Sequence, residues 1–409
     1  MTARPPNVLV LVIDSLRADV VAGDRVPTPN LDALGRRGAV FGQCVCTSTT
    51  TTPSFSSLLT GCYPPKHGVR GLQGYSLTTA LTTMAEMFAH AGYDTHAEVT
   101  GPLLPATGVL RGFADYRHRP AYRVPFFGWR DEVVAKMRSY AEPWFMLLHI
   151  WEVHRPYRSP PDFAKRRDRA GYEAAVAATD EWLAPVFDAA GDALTVVTGD
   201  HGEDYAESEL ELRLVRVGRA ARRVLKLGRF APALDRKLAA AEIGHGFALH
   251  EHLVRVPLLI AGADVPSIEV GQQVRHVDLL PTLADLCGLG APEGVDGRSV
   301  RPALDGEALL EEPAYMEAVG VKLGGDRIVA ARTSTHKLLK RRSGKSVLYA
   351  LDGSATQESR DVARAYPEVA ARLEDYVNRV QGSELDAGSG MTVEDEAVVE
   401  QHLRDLGYL

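Results

Sequence analysis

A chain of 409 residues with 45% apolar and 24% charged content has the make-up of a globular protein long enough to bury a large core. Its net charge of −7 excludes general nucleic-acid binding. The four cysteines, Cys44, Cys46, Cys62 and Cys287, form neither a metal-type CxxC pair nor a disulfide framework, and the apolar run at 8–13 is too short for a signal-peptide core or a membrane span. Reduced thiols and a cytoplasmic location are therefore expected.

Residues 8–13 (VLVLVI) form a continuous β-branched and Leu run, the pattern of a parallel strand buried on both faces. Asp14 ends it, at the carboxyl end of a strand, where ligands of open α/β sheets collect. Helices are expected at 32–37, 54–60 and 79–91, and a strand at 95–99. Within 46–68 (CTSTTTTPSFSSLLTGCYPPKHG) a hydroxyl run stops at Pro53 and an apolar helical segment follows. Pro is tolerated in a first turn and Ser or Thr favour the position before it, so Thr51 and Thr52 should sit at a helix N-terminus. Such an end carries outward N–H groups and a favourable dipole for an anionic ester.

A helix at 131–140 leads to a second core strand at 144–150 (WFMLLHI), with His154 just beyond it in WEVHRPY. An imidazole there can donate to a ligand oxygen or hand a proton to a leaving group. After a helix at 169–190 and a strand at 194–198 stands Gly199-Asp200-His201-Gly202. A carboxylate and an imidazole adjacent at a strand end can turn to one cation, and with Asp14 and the Thr51 oxygen they make a mixed O/N site. Segment 213–237 holds nine bases against one acid, Asp235, which leaves −15 on the rest of the chain. Its bases recur at three- and four-residue steps, as in a basic amphipathic helix that lies on an anionic membrane, closes over an anionic substrate, or is a solvated face. His245 follows between two glycines, then a strand at 257–260 and a helix at 276–289. Beyond 310 the runs shorten and alternate, which suggests antiparallel hairpins and a helix at 367–380.

Taken in order, PNVLVLVIDSLRAD (6–19), TPNLDALGRRGAVF (28–41), the 46–68 stretch, VVTGDHGED (196–204) and GHGFALHEHLVRVPLLI (244–260) resemble the sulfatase-like branch of the alkaline phosphatase superfamily, over about residues 6–350. The resemblance implies an α/β fold: a large mixed, mostly parallel sheet sandwiched by helices, with a smaller C-terminal antiparallel sheet. It implies a catalytic domain over 1–310 with a basic insertion at 204–244, a small α+β subdomain over 311–381 and a tail over 382–409. Asp14, Thr51, Asp200 and His201 take the places of the metal ligands, and His154 and His245 those of catalytic histidines. One divalent cation per site follows, with Ca, Mg, Mn and Zn all open.

Three departures bear on the chemistry. Formylglycine sulfatases carry Cys or Ser two residues before the Pro and Arg two residues after it, whereas this chain has Thr51 and Phe55. Ser15 replaces the second acid of the usual Asp-Asp pair, and the GKWHLG run after Gly92-Tyr93 is missing. Threonine nucleophiles belong to phosphoryl-transferring relatives. The resemblance thus implies a hydrolase or transferase that cleaves a phosphate or phosphonate ester through a phospho-threonine. Its substrate is expected to be a small-molecule or a glycan- or lipid-linked anionic ester. The alternatives are a sulfuric ester hydrolase without the formylglycine motif and a membrane-surface transferase of the phosphoglycerol or phosphoethanolamine type.

The membrane reading has a direct test. Each Lys or Arg of 213–237 near an anionic surface contributes about 1 kcal/mol, and the attraction fades with salt. Flotation with anionic but not neutral liposomes at low salt is the outcome that reading requires, and equal recovery with both leaves the lid or solvated face.

Overall fold

The computed structural model describes residues 4–21, 25–120, 124–160, 171–205, 245–290, 292–319, 327–341, 346–353, 358–384 and 391–406. The basic segment 213–237 lies outside them, as do most of the 204–244 insertion and the start of the helix expected at 169.

Eight strands form the main sheet: β1 (Val8–Ile13), β2 (Ala39–Val45), β3 (Asp94–Thr100), β4 (Asp115–Arg119), β5 (Trp144–Ile150), β6 (Leu194–Gly199), β7 (Arg255–Ala261) and β8 (Ile268–Arg275). Their spatial order is β4-β3-β5-β1-β6-β7-β2-β8, and β7 alone runs against its neighbours. Alternation along β1 splits the interior in two. Val8, Val10 and Val12 join Phe145 and Leu147 in one core, and Leu9, Leu11 and Ile13 join Met146, Leu148 and Ile150 in the other. Helix α1 (Pro29–Arg36) and helix α2 (Thr51–Thr60) start early in the chain, and α2 gives Phe55, Leu58 and Leu59 to the first core. Helix α3 (Met84–His90) is shorter than the 79–91 expected. Thr83 caps it through a reciprocal box, accepting from Glu86 N at 3.1 Å while Glu86 Oε2 accepts from Thr83 N at 2.8 Å, so 79–83 stay outside the helix. The second core is closed by α4 (Phe126–Met137) and α5 (Gly171–Ala190).

A second sheet, β9 (Ala314–Ala318), β10 (Ile328–Arg332), β11 (His336–Arg341) and β12 (Val347–Ala350), is fully antiparallel in the order β12-β11-β10-β9. One face, through Met316, Ala318, Ala330 and Leu339, merges with the first core. The other packs Tyr315, Val329, Leu338 and Leu348 against Leu373, Tyr376 and Val377 of α6 (Pro367–Gln381). The helix in the tail, α7 (Val393–Asp405), docks on Leu72 through Val399 and Leu403. β2 and β8 carry no clear apolar run in the sequence, because their outward positions are Gly, Gln and Glu.

Just past β5 stands Glu152. It is held by both Arg119 guanidinium nitrogens at 2.7 and 2.9 Å and by Phe126 N at 2.7 Å, with both charged side chains 1% exposed. Arg119→Met should strand the carboxylate and lower unfolding free energy by about 3–5 kcal/mol in urea titration. A change below about 1 kcal/mol would show that the pair does not lock β4 to β5.

Candidate active site

Parallel pairing aligns the strand ends. Ile13 is level with Ile150 on one side and Gly199 on the other, so Asp14, Trp151 and Asp200 leave the sheet side by side. Glycine is required next to Asp200 for close approach: a Cβ on Gly199 would stand 2.5 Å from Leu16 O, and one on Gly202 2.0 Å from His252 O. Asp200 is fixed from several directions. Ser15 N and His201 N donate to its Oδ1 at 2.9 and 2.8 Å, and Ser54 Oγ of α2 donates to its carbonyl at 2.6 Å. Ser15 reaches this position with φ at +61°, its carbonyl accepting from Tyr172 OH at 2.7 Å.

Helix α2 begins at Thr51, with Thr50 in extended conformation as the cap position and no side-chain cap. Thr51 therefore occupies the first helical position. Its Oγ1 donates to Asp14 Oδ2 at 3.3 Å, and the side chain is 1% exposed.

His149, which sequence reasoning passed over, completes the cluster. It lies on the α2 side of β5, as Phe145 and Leu147 do, and its Nε2 is 3.4 Å from Asp14 Oδ2. Oxygen and nitrogen donors of Asp14, His149 and Asp200 all lie within 4.8 Å of one another, and all three residues are buried. Phe55 packs edge-on against the His149 ring at 4.8 Å. The one signal in the sequence was a lone polar residue in an otherwise apolar strand.

The outer layer holds the remaining histidines. His201 Nε2 is 3.4 Å from Asp200 Oδ2, the His245 ring lies 4.3 Å from the His201 ring, and His154 lies 4.9 Å from His245 and stacks on Trp151 at 3.9 Å. Glu203, also unforeseen, is fully buried with Oε1 3.3 Å from His245 Nδ1. The structure thus brings together Asp14, Thr51, Asp200, His201, His154 and His245. Lys337 is elsewhere, paired with Glu251 and Glu358.

Burial, reinforced by the Asp200 charge, holds the Asp14 carboxyl well above the usual carboxylate range. Burial pushes His149 down to about 4 and, with a neighbouring imidazole, takes His154 and His245 well below their ordinary value. Burial opposes protonation of His201 too, but Asp200 and Asp14 outweigh it and raise that imidazole.

His149 Nδ1 faces Thr100 O at 3.1 Å and His201 Nδ1 faces Gly202 O at 2.8 Å. A carbonyl only accepts, so both rings carry hydrogen on Nδ1 and turn an Nε2 lone pair inward, as metal-binding imidazoles do. Those two Nε2 atoms and Asp200 Oδ2 make no hydrogen bond among the described residues. Two facing carboxylates and orphaned inward lone pairs fit a divalent cation.

A profile of the sulfatase family matches residues 6–289. The chain belongs to the sulfatase family. Its fold is that of the alkaline phosphatase superfamily, and it is a hydrolase of ester bonds. The ulvan-active sulfatase of Formosa agariphila is 25% identical over 376 residues, spanning 75% of this chain and 67% of that protein. The arylsulfatase of Klebsiella aerogenes is 37% identical over 103 residues, 22% of each chain. Among solved structures, the phosphonate monoester hydrolase of Agrobacterium radiobacter superposes with a TM-score of 0.72 at 18% identity, covering 93% of this chain and 96% of the other. A divalent cation is the family's cofactor.

His149→Ala and Asp200→Ala should each remove most bound cation from dialysed protein, measured by plasma mass spectrometry. Full metal content in both variants would contradict the assignment.

Proposed function

We propose that this sulfatase-family hydrolase cleaves a phosphate or phosphonate ester by double displacement at Thr51. The observation that carries the reading is the Thr51 hydroxyl, buried at the first position of α2 and hydrogen-bonded to Asp14 Oδ2 at 3.3 Å. A threonine cannot yield the aldehyde hydrate from which formylglycine sulfatases work, so the nucleophile here is an alkoxide oxygen. Asp14, Asp200, His149 and His201 would hold the divalent cation, and a cation bound there would lower the pKa of the Thr51 hydroxyl and screen the nonbridging oxygens of the ester. Mixed carboxylate and imidazole donors suit zinc or manganese better than the all-oxygen shells of calcium.

The chain's own groups account for the rest. In the first displacement the Thr51 Oγ1–P bond forms, the bond from phosphorus to the leaving oxygen breaks, and the Thr51 proton passes to Asp14 Oδ2. The N-terminal end of α2, with its favourable dipole, suits the transferred anion. In the second, a neutral His245 or His154 accepts a proton from the attacking water, the new O–P bond forms, the Thr51 Oγ1–P bond breaks and Asp14 Oδ2 returns its proton to Thr51 Oγ1. Burial and a neighbouring imidazole keep both rings neutral, the form that can accept a proton. The similarity to a phosphonate monoester hydrolase supports the phosphorus reading. A second reading, sulfate ester hydrolysis, is favoured by the names of the curated relatives, an ulvan-active sulfatase and an arylsulfatase.

A panel of aryl phosphate mono- and diesters, phosphonates and sulfates, assayed with Mg, Mn, Ca and Zn, separates the two. Phosphorus esters should give the higher kcat/KM. Thr51→Ala should lose on the order of 10^3-fold or more in kcat, and Thr51→Ser should keep a measurable rate. Turnover undiminished in Thr51→Ala would exclude Thr51 and leave direct attack by water.

A further inference from the structure

We infer that Lys337, on the C-terminal sheet, is a positioning residue that sets the loop bearing His245 against the active site. The inference rests on the catalytic reading of His245 given above. Lys337 is wholly buried in β11 and does not reach the site. Its Nζ donates to Leu249 O at 2.7 Å and to Glu251 Oε1 at 3.1 Å, and it ion-pairs with Glu358. Arg332 is its register partner across the β10–β11 ladder, so two cations emerge side by side. Like charges directly opposite are destabilising, unless anions lie between them. Here the anion comes from the loop. Arg332 Nε and Nη2 meet the Glu251 carboxylate at 2.9–3.1 Å, while Glu251 N donates to Glu358 Oε2 at 3.0 Å. Burial alone would raise Glu358, but hydrogen bonds and charge from His250 and Lys337 hold it down to about 2.

The same loop is pinned from the opposite side. Thr49 Oγ1 donates to Ala248 O at 3.1 Å, and Gly246, at φ +90°, passes so close to Thr50 that a Cβ would lie 3.1 Å from its Cγ2. Residues 245–251 are therefore stretched between the segment that leads into Thr51 and the cations of the small sheet. A four-charge buried cluster is poor value as a stabiliser, since apolar replacements of such clusters are often neutral or better. Its geometric effect is specific: it fixes the carbonyl four residues after His245 and the side chain six residues after it. A displacement of about 1 Å at a reacting group costs on the order of 10²-fold in rate.

Lys337→Met alone leaves two buried carboxylates with one cation and risks unfolding. The informative variant is Lys337→Met with Glu358→Gln, which keeps Glu251 on Arg332. It should melt cooperatively, retain its bound metal and lose about 10- to 100-fold in kcat with KM little changed. In a His245→Ala background the same pair of substitutions should cost nothing further. Hydrogen exchange should quicken in peptides covering 245–254 and stay unchanged in those covering 51–60. Equal losses in both backgrounds, or unaltered exchange at 245–254, would overturn the inference. Failure of the Thr51 chemistry appears differently, as a wild-type protein without turnover whose loop exchange still responds, and that response supports the positioning role.

Discussion

Asp14 and Asp200 leave adjacent strands at the same level, both wholly buried, and their mutual repulsion is the constraint on which the rest of the site depends. Two carboxylates cannot both ionise in such a place without compensation. Part of that compensation is local: Ser15 N and His201 N on Asp200, Ser15 Oγ and Thr51 Oγ1 on Asp14. The remainder would come from a divalent cation such as the family uses, and Asp200 Oδ2 and the Nε2 atoms of His149 and His201 have no hydrogen-bond partner among the described residues. The alignment follows from parallel pairing of β1 with β5 and β6, which places three strand ends in a row.

Two uncharged side chains, Ser15 and Phe55, stand around this pair. His149 packs edge-on against the Phe55 ring. The candidate donor set includes the nitrogens of His149 and His201, and the Thr51 hydroxyl stands at a helix start. The small sheet participates through Glu317 of β9, whose backbone N donates to Thr47 O at 2.9 Å and whose carboxylate is gripped by Arg70 at 2.7 and 2.9 Å. Both the Thr51 segment and the His245 loop are thus braced by it.

Much of this was legible in the sequence where physics is local. The VLVLVI run, WFMLLHI and the strand before Gly199 could be read because burial on both faces leaves only apolar residues. Asp14, Thr51, Asp200 and His201 could be read because each directly ends a strand or starts a helix. β2 and β8 were not legible, since their polar outward positions break the run. The glycines beside Asp200 permit close packing on Leu16 and His252, contacts far off in sequence. His149 and Glu203 escaped notice because their significance lies in which face they turn to, and register across strands decides that. The Lys337 cluster joins residues 251, 332, 337 and 358, which no local pattern links.

The central claim is that Thr51 is transiently esterified during turnover. The most direct measurement is acid quench of enzyme in the steady state with a fast aryl phosphate or phosphonate ester, followed by fragmentation mass spectrometry of the tryptic peptide 38–66. The account predicts an adduct of the transferred group located on Thr51, absent from Thr51→Ala and discharged when substrate is exhausted. A peptide that stays unmodified while turnover proceeds, or an adduct located on another hydroxyl of the run, would contradict it.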